Sequence, residues 1–395
     1  MSTKPKSPNP HRDTHALIEL TKSSQILLSH FQSSLTPVPA SFSAVPSHSS
    51  ISASTSVPNP LDVVKTTTTL LKSHTTTLSL LLLTPPLTPS ALSKKIGDVS
   101  SGVLSGMVAA VSGAPQPGQQ DGLGEVMRAE LRAQVRRVLG AWGDVLAHLL
   151  KFVERREGVE GKGKGKDEGV TESERQNILA STGVVWEACD ALLKLCQDGV
   201  VGLVVKKAES WRATLMDAVE ELKEWGENVE DEEEDGDKAE GSDGGRGEFG
   251  DEDGIFGAAN KLSKGDKELK ELLDVSVKKL KMVGMLYQAL SKRRLKTFPA
   301  VPTSKVETNG EGTVALLDPM AKLDKLMGIL KSIPECADEL ASSFYNLDEE
   351  EARQTLDTCC GEAKIAIELV KQSWSGKDDE FTTWSEKWVG ALEVS

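Results

Sequence analysis

Imidazoles and thiols are the side chains through which a chain of this composition would carry acid/base or nucleophilic chemistry, and their placement argues against both. All six histidines lie at or before His148 in a chain of 395 residues, so the second half holds no imidazole to pair with a Ser or Cys nucleophile. Cys189 and Cys196 are seven residues apart, two turns along one helical face shared with Ile178, Val185 and Leu192, which reads as core packing. Cys359 and Cys360 are adjacent, point in different directions from a helix and have no basic neighbour to lower a thiol pKa. Five cysteines with no CxxC indicate neither a disulfide framework nor a zinc site. The run Gly161 to Lys166, GKGKGK, lacks both the hydroxyl that follows a phosphate-loop lysine and a preceding strand. The acidic run lacks the ligand spacing and closing glutamate of a calcium loop. The expectation is a non-enzymatic protein with no catalytic residues, no metal and no cofactor.

Charge is the other resource. The 60 acidic and 46 basic side chains give a net charge of −14, yet Glu227 to Asp253 alone carries 14 acidic and 2 basic residues. Residues 255 to 297 that follow hold 11 basic and 4 acidic side chains. Two readings stay open. In one, Glu232, Glu233 and Glu234 lie across a basic face that includes Lys292, Arg293, Arg294 and Lys296, as an electrostatic latch that a basic partner displaces. In the other, both are solvated surfaces whose attraction is screened over about 8 Å. The Lys292 to Lys296 cluster resembles a nuclear-import signal, although a helix C-terminus favours cations in any case. Arg128, Arg132 and Arg136 read as the solvent face of a helix. A nearly neutral body beside an acidic run is not expected to bind DNA phosphates directly.

The elements that must position these groups are helices throughout, because apolar residues recur every three or four positions and never alternate. Asp13 caps a first helix with Leu17, Leu20, Leu27 and Phe31 inward. Asn59-Pro60 and Thr88-Pro89 each give a cap followed by a proline at the first helical position. A fourth helix, about 122–156, carries Leu131, Val135, Val138, Trp142, Val145 and Leu149. Thr171 with Glu174 forms a capping box for the next, and glycines near Gly199 to Gly202 turn or kink the chain. Val201, Val204, Ala208, Trp211, Leu215, Ala218, Leu222 and Trp225 then make a seam with strict 3,4 spacing, as in a bundle. Asp266 opens a helix to about Lys296. Asp318-Pro319 opens another, with inward residues from Leu323 to Leu347, that is expected to kink at Pro334 and continue, a break with restart being the alternative. Asp348 opens one to about Trp374, and Phe381, Trp384, Trp388 and Leu392 form a short amphipathic end.

The fold class is therefore all-α, two packed bundles of long amphipathic helices joined by a disordered acidic loop. The expected divisions are a disordered tail 1–11, an N-terminal bundle 12–228, an acidic loop 229–258 and a C-terminal bundle 259–395. A Ser/Pro loop 36–58 and a Gly/Lys linker 158–170 fall inside the first bundle. The opening MSTKPKSPNPHRD has no apolar h-region, and the most apolar run, Leu78 to Leu83, is far short of the ~20 residues a membrane span needs, so a soluble protein is expected.

Two segments, Thr182 to Leu195 (TGVVWEACDALLKL) and Thr214 to Trp225 (TLMDAVEELKEW), resemble the signature region of the cyclin-D-binding protein family, also called GCIP or Maid. Asn59 to Leu81 and Ser332 to Asn346 (SIPECADELASSFYN) match in the same order, while the Ser/Pro, GKGKGK and acidic stretches look like insertions that mark a divergent member. The resemblance implies an all-helical protein without known catalysis. It also implies protein partners, namely D-type cyclins, an adaptor and helix-loop-helix factors, with a cell-cycle role in cytoplasm and nucleus. Under that reading Ser7, Thr36, Thr84 and Thr88, each followed by proline, are candidate phosphosites, and Arg293-Arg294-Leu295 is a weak RxL docking match. The alternative from another class is a vinculin- or talin-type adaptor, whose bundles share this pattern of long Thr/Ser/Ala-rich helices.

Overall fold

The computed structural model describes residues 10–36, 59–113, 122–160, 170–227, 262, 265–299 and 318–394. All regular structure among them is helical, and the chain divides into two compact units, Met1–Gly199 and Val200–Ser395. Helices are α1 (Pro10–Ser34), α2 (Pro60–Leu83), α3 (Pro89–Asp98), α4 (Ser105–Ser112), α5 (Gly124–Glu160), α6 (Glu172–Glu227), α7 (Lys267–Leu290), α8 (Pro319–Tyr345), α9 (Glu349–Leu369) and α10 (Glu380–Val394). A π-helical turn, Val99–Leu104, carries α3 into α4, and a second, Ser291–Leu295, extends α7. The acidic tract, most of the Ser/Pro and Gly/Lys stretches and Ser7 lie outside the described residues.

In the first unit α1 packs on α3 and α5, and α2 on α4. The Asn59 carboxamide oxygen accepts from Leu61 N at 3.0 Å, which relieves one of the unpaired amides at the start of α2. Thr171 and Glu174 form the reciprocal capping box, N to Oε2 2.9 Å and N to Oγ1 3.3 Å. Arg155 then grips Glu174 at 2.6 and 2.9 Å, tying α5 to the start of α6. Partial burial pushes the Glu174 carboxyl up, but these donors outweigh it and the net displacement is downward.

Two expectations change in this unit. α1 starts at Pro10 rather than Asp13, and its buried stripe is Thr14, Leu17, Ile18, Thr21, Ser24, Leu28 and Leu35, with Leu20, Leu27 and Phe31 only half-buried. Hydroxyls made the difference. Thr21 donates to the Leu17 carbonyl at 2.7 Å and Ser100 donates to Ser24 at 3.1 Å, so short polar side chains enter the core already hydrogen-bonded. α2 does the same through Thr68, Thr75 and Ser79. Arg128, expected on the solvent face, is buried and donates to the Gly113 carbonyl at 2.6 Å, covering the end of α4.

The two compact units divide at Gly199. Gly199 sits at φ 62°, ψ −164°, a conformation open only to glycine, and it breaks α6 into arms 172–198 and 200–227 that belong to different units.

In the second unit α8 and α9 form an antiparallel hairpin, α9 packs on α7, and α10 lies against both. The 200–227 arm approaches α7 closely. A Cβ at Gly226 would collide with the Leu273 side chain, one at Gly284 would come within 2.7 Å of the Met216 sulfur, and Arg212 donates to the Gly284 carbonyl at 3.0 Å. Trp225 reaches Phe344 and Tyr345, with ring centroids 6.3 and 5.5 Å away.

α8 runs through Pro334 unbroken. Proline cannot donate to the carbonyl four residues back, Leu330, and the buried Tyr287 hydroxyl donates there instead at 2.6 Å. α8 closes in a Schellman arrangement, with Leu347 N to Phe344 O 2.9 Å and Asp348 N to Ser343 O 3.0 Å, and Leu347 at φ 59°. Leu347, expected to be the last inward residue of the helix, therefore lies beyond it and is partly exposed. α9 ends at Leu369 rather than near Trp374, because residues 370–379 fold into a turn closed by Ser373 N to Lys377 O at 2.9 Å, with Gly376 at φ 75°.

Candidate functional site

The basic cluster at the end of α7 separates into two populations. Continuing the 3,4 spacing of Leu280, Val283, Tyr287 and Leu290 lands on residue 294, so Arg294 falls on the buried face of α7. It is 1% exposed, and Leu295 beside it is fully buried. The guanidinium makes every bond its geometry permits: Nε to Val370 O 2.6 Å, Nη1 to Arg293 O 2.9 Å and Asp379 Oδ2 2.7 Å, Nη2 to Lys371 O 2.7 Å and Asp379 Oδ1 2.9 Å. It lies 4.3 Å from the Phe381 ring centre, and the Trp374 indole donates back to the Arg294 carbonyl at 2.8 Å. Asp379 in turn accepts from the amides of Phe381 and Thr382 at the start of α10. The Arg294 hydrogen bonds outweigh partial burial and hold the Asp379 carboxyl at about 2.

An arginine so engaged is a structural anchor joining α7, the 370–379 turn and α10. With Arg294 and Leu295 both out of the solvent, an RxL-type surface motif is not presented here. Lys292, Arg293 and Lys296 are exposed, and Arg293 pairs with Glu380 at 2.6 Å. Lys292 and Arg293 rim an open cleft of about 440 Å³ lined also by Thr297, Pro299, Trp374 and Ser375. Arg294 and Asp379 line it as well, and all five guanidinium donors of Arg294 are already engaged.

Of the proline-directed threonines, Thr36 follows α1, Thr84 ends α2 and Thr88 begins α3, and all three are exposed. Glu232, Glu233 and Glu234 lie outside the described residues, as does Ser7. The thiols are packing groups. Burial pushes Cys189 up to about 12 and Cys196 to about 11. Cys336 donates to the Thr355 carbonyl at 3.5 Å, and its interaction with Cys359 across the α8–α9 hairpin raises Cys359 and lowers Cys336. Among the described residues no group of His, Cys, Asp or Glu is placed to hold a metal ion, and no helix is long and apolar enough to cross a membrane.

One apolar surface feature was not anticipated. Ser79 bonds Thr182 hydroxyl to hydroxyl and Lys72 pairs with Asp190 at 2.6 Å, so α2 and the 172–198 arm of α6 run antiparallel. Beside the Ser79–Thr182 contact stand Leu80, Leu179 and Trp186, which are 60%, 49% and 39% exposed. Residues 179, 183 and 186 share one helical face at 4,3 spacing, and Gly183 between them offers open space above its backbone. The sequence signal was present: Leu179 and Trp186 are large apolar residues lying off the Ile178, Val185, Leu192 core stripe.

An all-helical protein of two bundle units is the class this architecture defines. Within it, residues 63–228 match the model of the family described as "Grap2 and cyclin-D-interacting, N-terminal". The match runs from the start of α2 through the end of α6 and contains the Leu80, Leu179 and Trp186 surface. An uncharacterized protein of Schizosaccharomyces pombe is 24% identical over 341 residues, covering 86% of this chain and 85% of its own length.

Proposed function

We propose that this chain is a non-enzymatic regulatory protein that binds a D-type cyclin and acts in cell-cycle control. The observation that supports it is the family match over residues 63–228, whose description names cyclin-D interaction. The Leu80, Leu179 and Trp186 surface lies inside the matched stretch and supplies what an amphipathic partner helix needs: an aromatic anchor with aliphatic neighbours beside a glycine. Action in cytoplasm and nucleus belongs to the same proposal.

Calorimetric titration of the purified full chain with a purified D-type cyclin tests it. Binding with a Kd of about 10 μM or tighter is expected, weakened roughly tenfold by Trp186→Ala, a loss of about 1.4 kcal/mol. No heat at about 100 μM, together with binding to a helix-loop-helix protein in the same assay, transfers the proposal to that partner class. Cyclin binding that Trp186→Ala and Leu179→Ser leave untouched removes the proposed surface.

A further inference from the structure

The outward face of α7 carries Lys267, Lys270, Asp274, Lys278, Lys281, Met285, Gln288 and, in the π-helical turn, Lys292, with spacings of 3 or 4 that place them in one stripe. All are exposed, and the five lysines make no ion pair with any described residue. Asp274 is the sole acidic member, with Glu268 and Glu271 beside the stripe. Elsewhere exposed cations do find partners, as Lys72 does with Asp190, Arg137 with Glu187 and Lys364 with Glu393. A stripe of five unpaired lysines on one helix is a polyanion-binding surface by its electrostatics.

The same chain supplies a polyanion of matching size. Glu227 to Asp253 carries 14 acidic against 2 basic side chains and joins the 200–227 arm of α6 to α7, both in the second unit. The 34 residues between Glu227 and Leu262 span up to about 110 Å when extended, while Lys267 to Lys292 covers about 38 Å of helix. The tract therefore reaches every lysine of the stripe. A tract tethered in this way would meet the stripe at an effective concentration on the order of millimolar.

We propose that the acidic tract, through Glu232, Glu233, Glu234 and their neighbours, docks on the α7 lysine stripe, which takes an acidic peptide as its ligand and is occupied in cis. The inference is independent of cyclin binding, which concerns the α2–α6 surface.

Carbodiimide cross-linking of the intact chain, read by mass spectrometry, tests it directly. Cross-links from Glu232–Glu234 to Lys278, Lys281 or Lys292 are expected, and cross-links confined to lysines off the stripe overturn the proposal. A second measurement uses a chain in which 229–253 are replaced by a Gly/Ser linker of equal length. A labelled peptide of residues 227–253 should bind that chain roughly tenfold or more tighter than it binds the intact chain at about 50 mM salt, and lose the advantage at about 500 mM. Adding Lys270→Glu, Lys278→Glu and Lys281→Glu to the replaced chain should abolish binding while the circular-dichroism melt is retained. Equal peptide binding to intact and replaced chains, or to the charge-reversed chain, sinks it. Binding of an unrelated acidic peptide to the intact chain as tightly as to the replaced one would show that the stripe is free for a partner.

Discussion

Arg294 shows how far a residue's neighbours can overrule its type. Four residues of a basic run look alike in sequence, yet the third is buried, bidentate to Asp379, bonded to three carbonyls and stacked on Phe381. Removing one partner of such a pair strands the other, so Arg294→Met should destabilise the fold by about 3–5 kcal/mol, read from urea unfolding followed by circular dichroism. Arg293→Met, whose ion pair is exposed, should cost under about 1 kcal/mol. Asp379 adds a pH signature. Its folded value of about 2 lies below the ordinary 3.8 of an aspartate, so its contribution to stability is fully present above about pH 4 and is lost as the pH falls toward 2. The stability gap between the wild type and Asp379→Asn should thus be constant from about pH 5 to 7 and shrink below pH 4. A gap that does not change with pH would mean the carboxylate is not held by Arg294. The clue was in the sequence, since residue 294 continues the Leu280, Val283, Tyr287, Leu290 alternation. What hid it was Asp379, 85 residues away, because only the fold brings a compensating carboxylate to an arginine on a core face.

At the scale of elements, the starts of helices were legible and the polar interiors were not. Asn59-Pro60, Thr88-Pro89, Thr171 with Glu174, and Asp348 act within three residues of themselves, and each begins a helix where local chemistry places it. The phase of α1 was misread because Thr21 and Ser24 count as polar in a pattern but enter the core with their hydroxyls bonded. Pro334 was read correctly as an interior proline, though the reason it is tolerated was not visible: Tyr287, from another helix, supplies the missing donor to the Leu330 carbonyl. Tyr287→Phe leaves that carbonyl unpaired and should cost about 1–3 kcal/mol. In a Pro334→Ala background the restored amide at 334 can bond Leu330 itself, so the same Tyr→Phe change should cost less, by about 1 kcal/mol. A double-mutant cycle in urea measures the difference, and equal costs in both backgrounds would show that the phenol is not standing in for the proline's absent N–H.

For the whole molecule, the all-α class followed from periodicity, and the two compact units divide at Gly199. Compactness depends on where backbone and packing change, and that is Gly199. The strict seam from Val201 to Trp225 begins immediately after it, so the phase break was already written as a glycine between the Ile178 to Cys196 stripe and the new one. The family match over residues 63–228 spans this point, so the glycine break lies inside the matched stretch. At φ 62°, ψ −164° a side chain meets no neighbouring atom within 4 Å, so steric crowding from outside is not the constraint; the backbone itself is. Gly199→Ala should accordingly lower stability by roughly 1–3 kcal/mol through backbone strain alone. Gly183→Ala, in the same helix but at ordinary helical angles and with equal space, should be neutral or stabilising by up to about 1 kcal/mol. Thermal melts of the two variants measured side by side separate the effects: equal melting temperatures would show that the chain at 199 takes up helical angles in solution, and that the arms 172–198 and 200–227 form one uninterrupted helix.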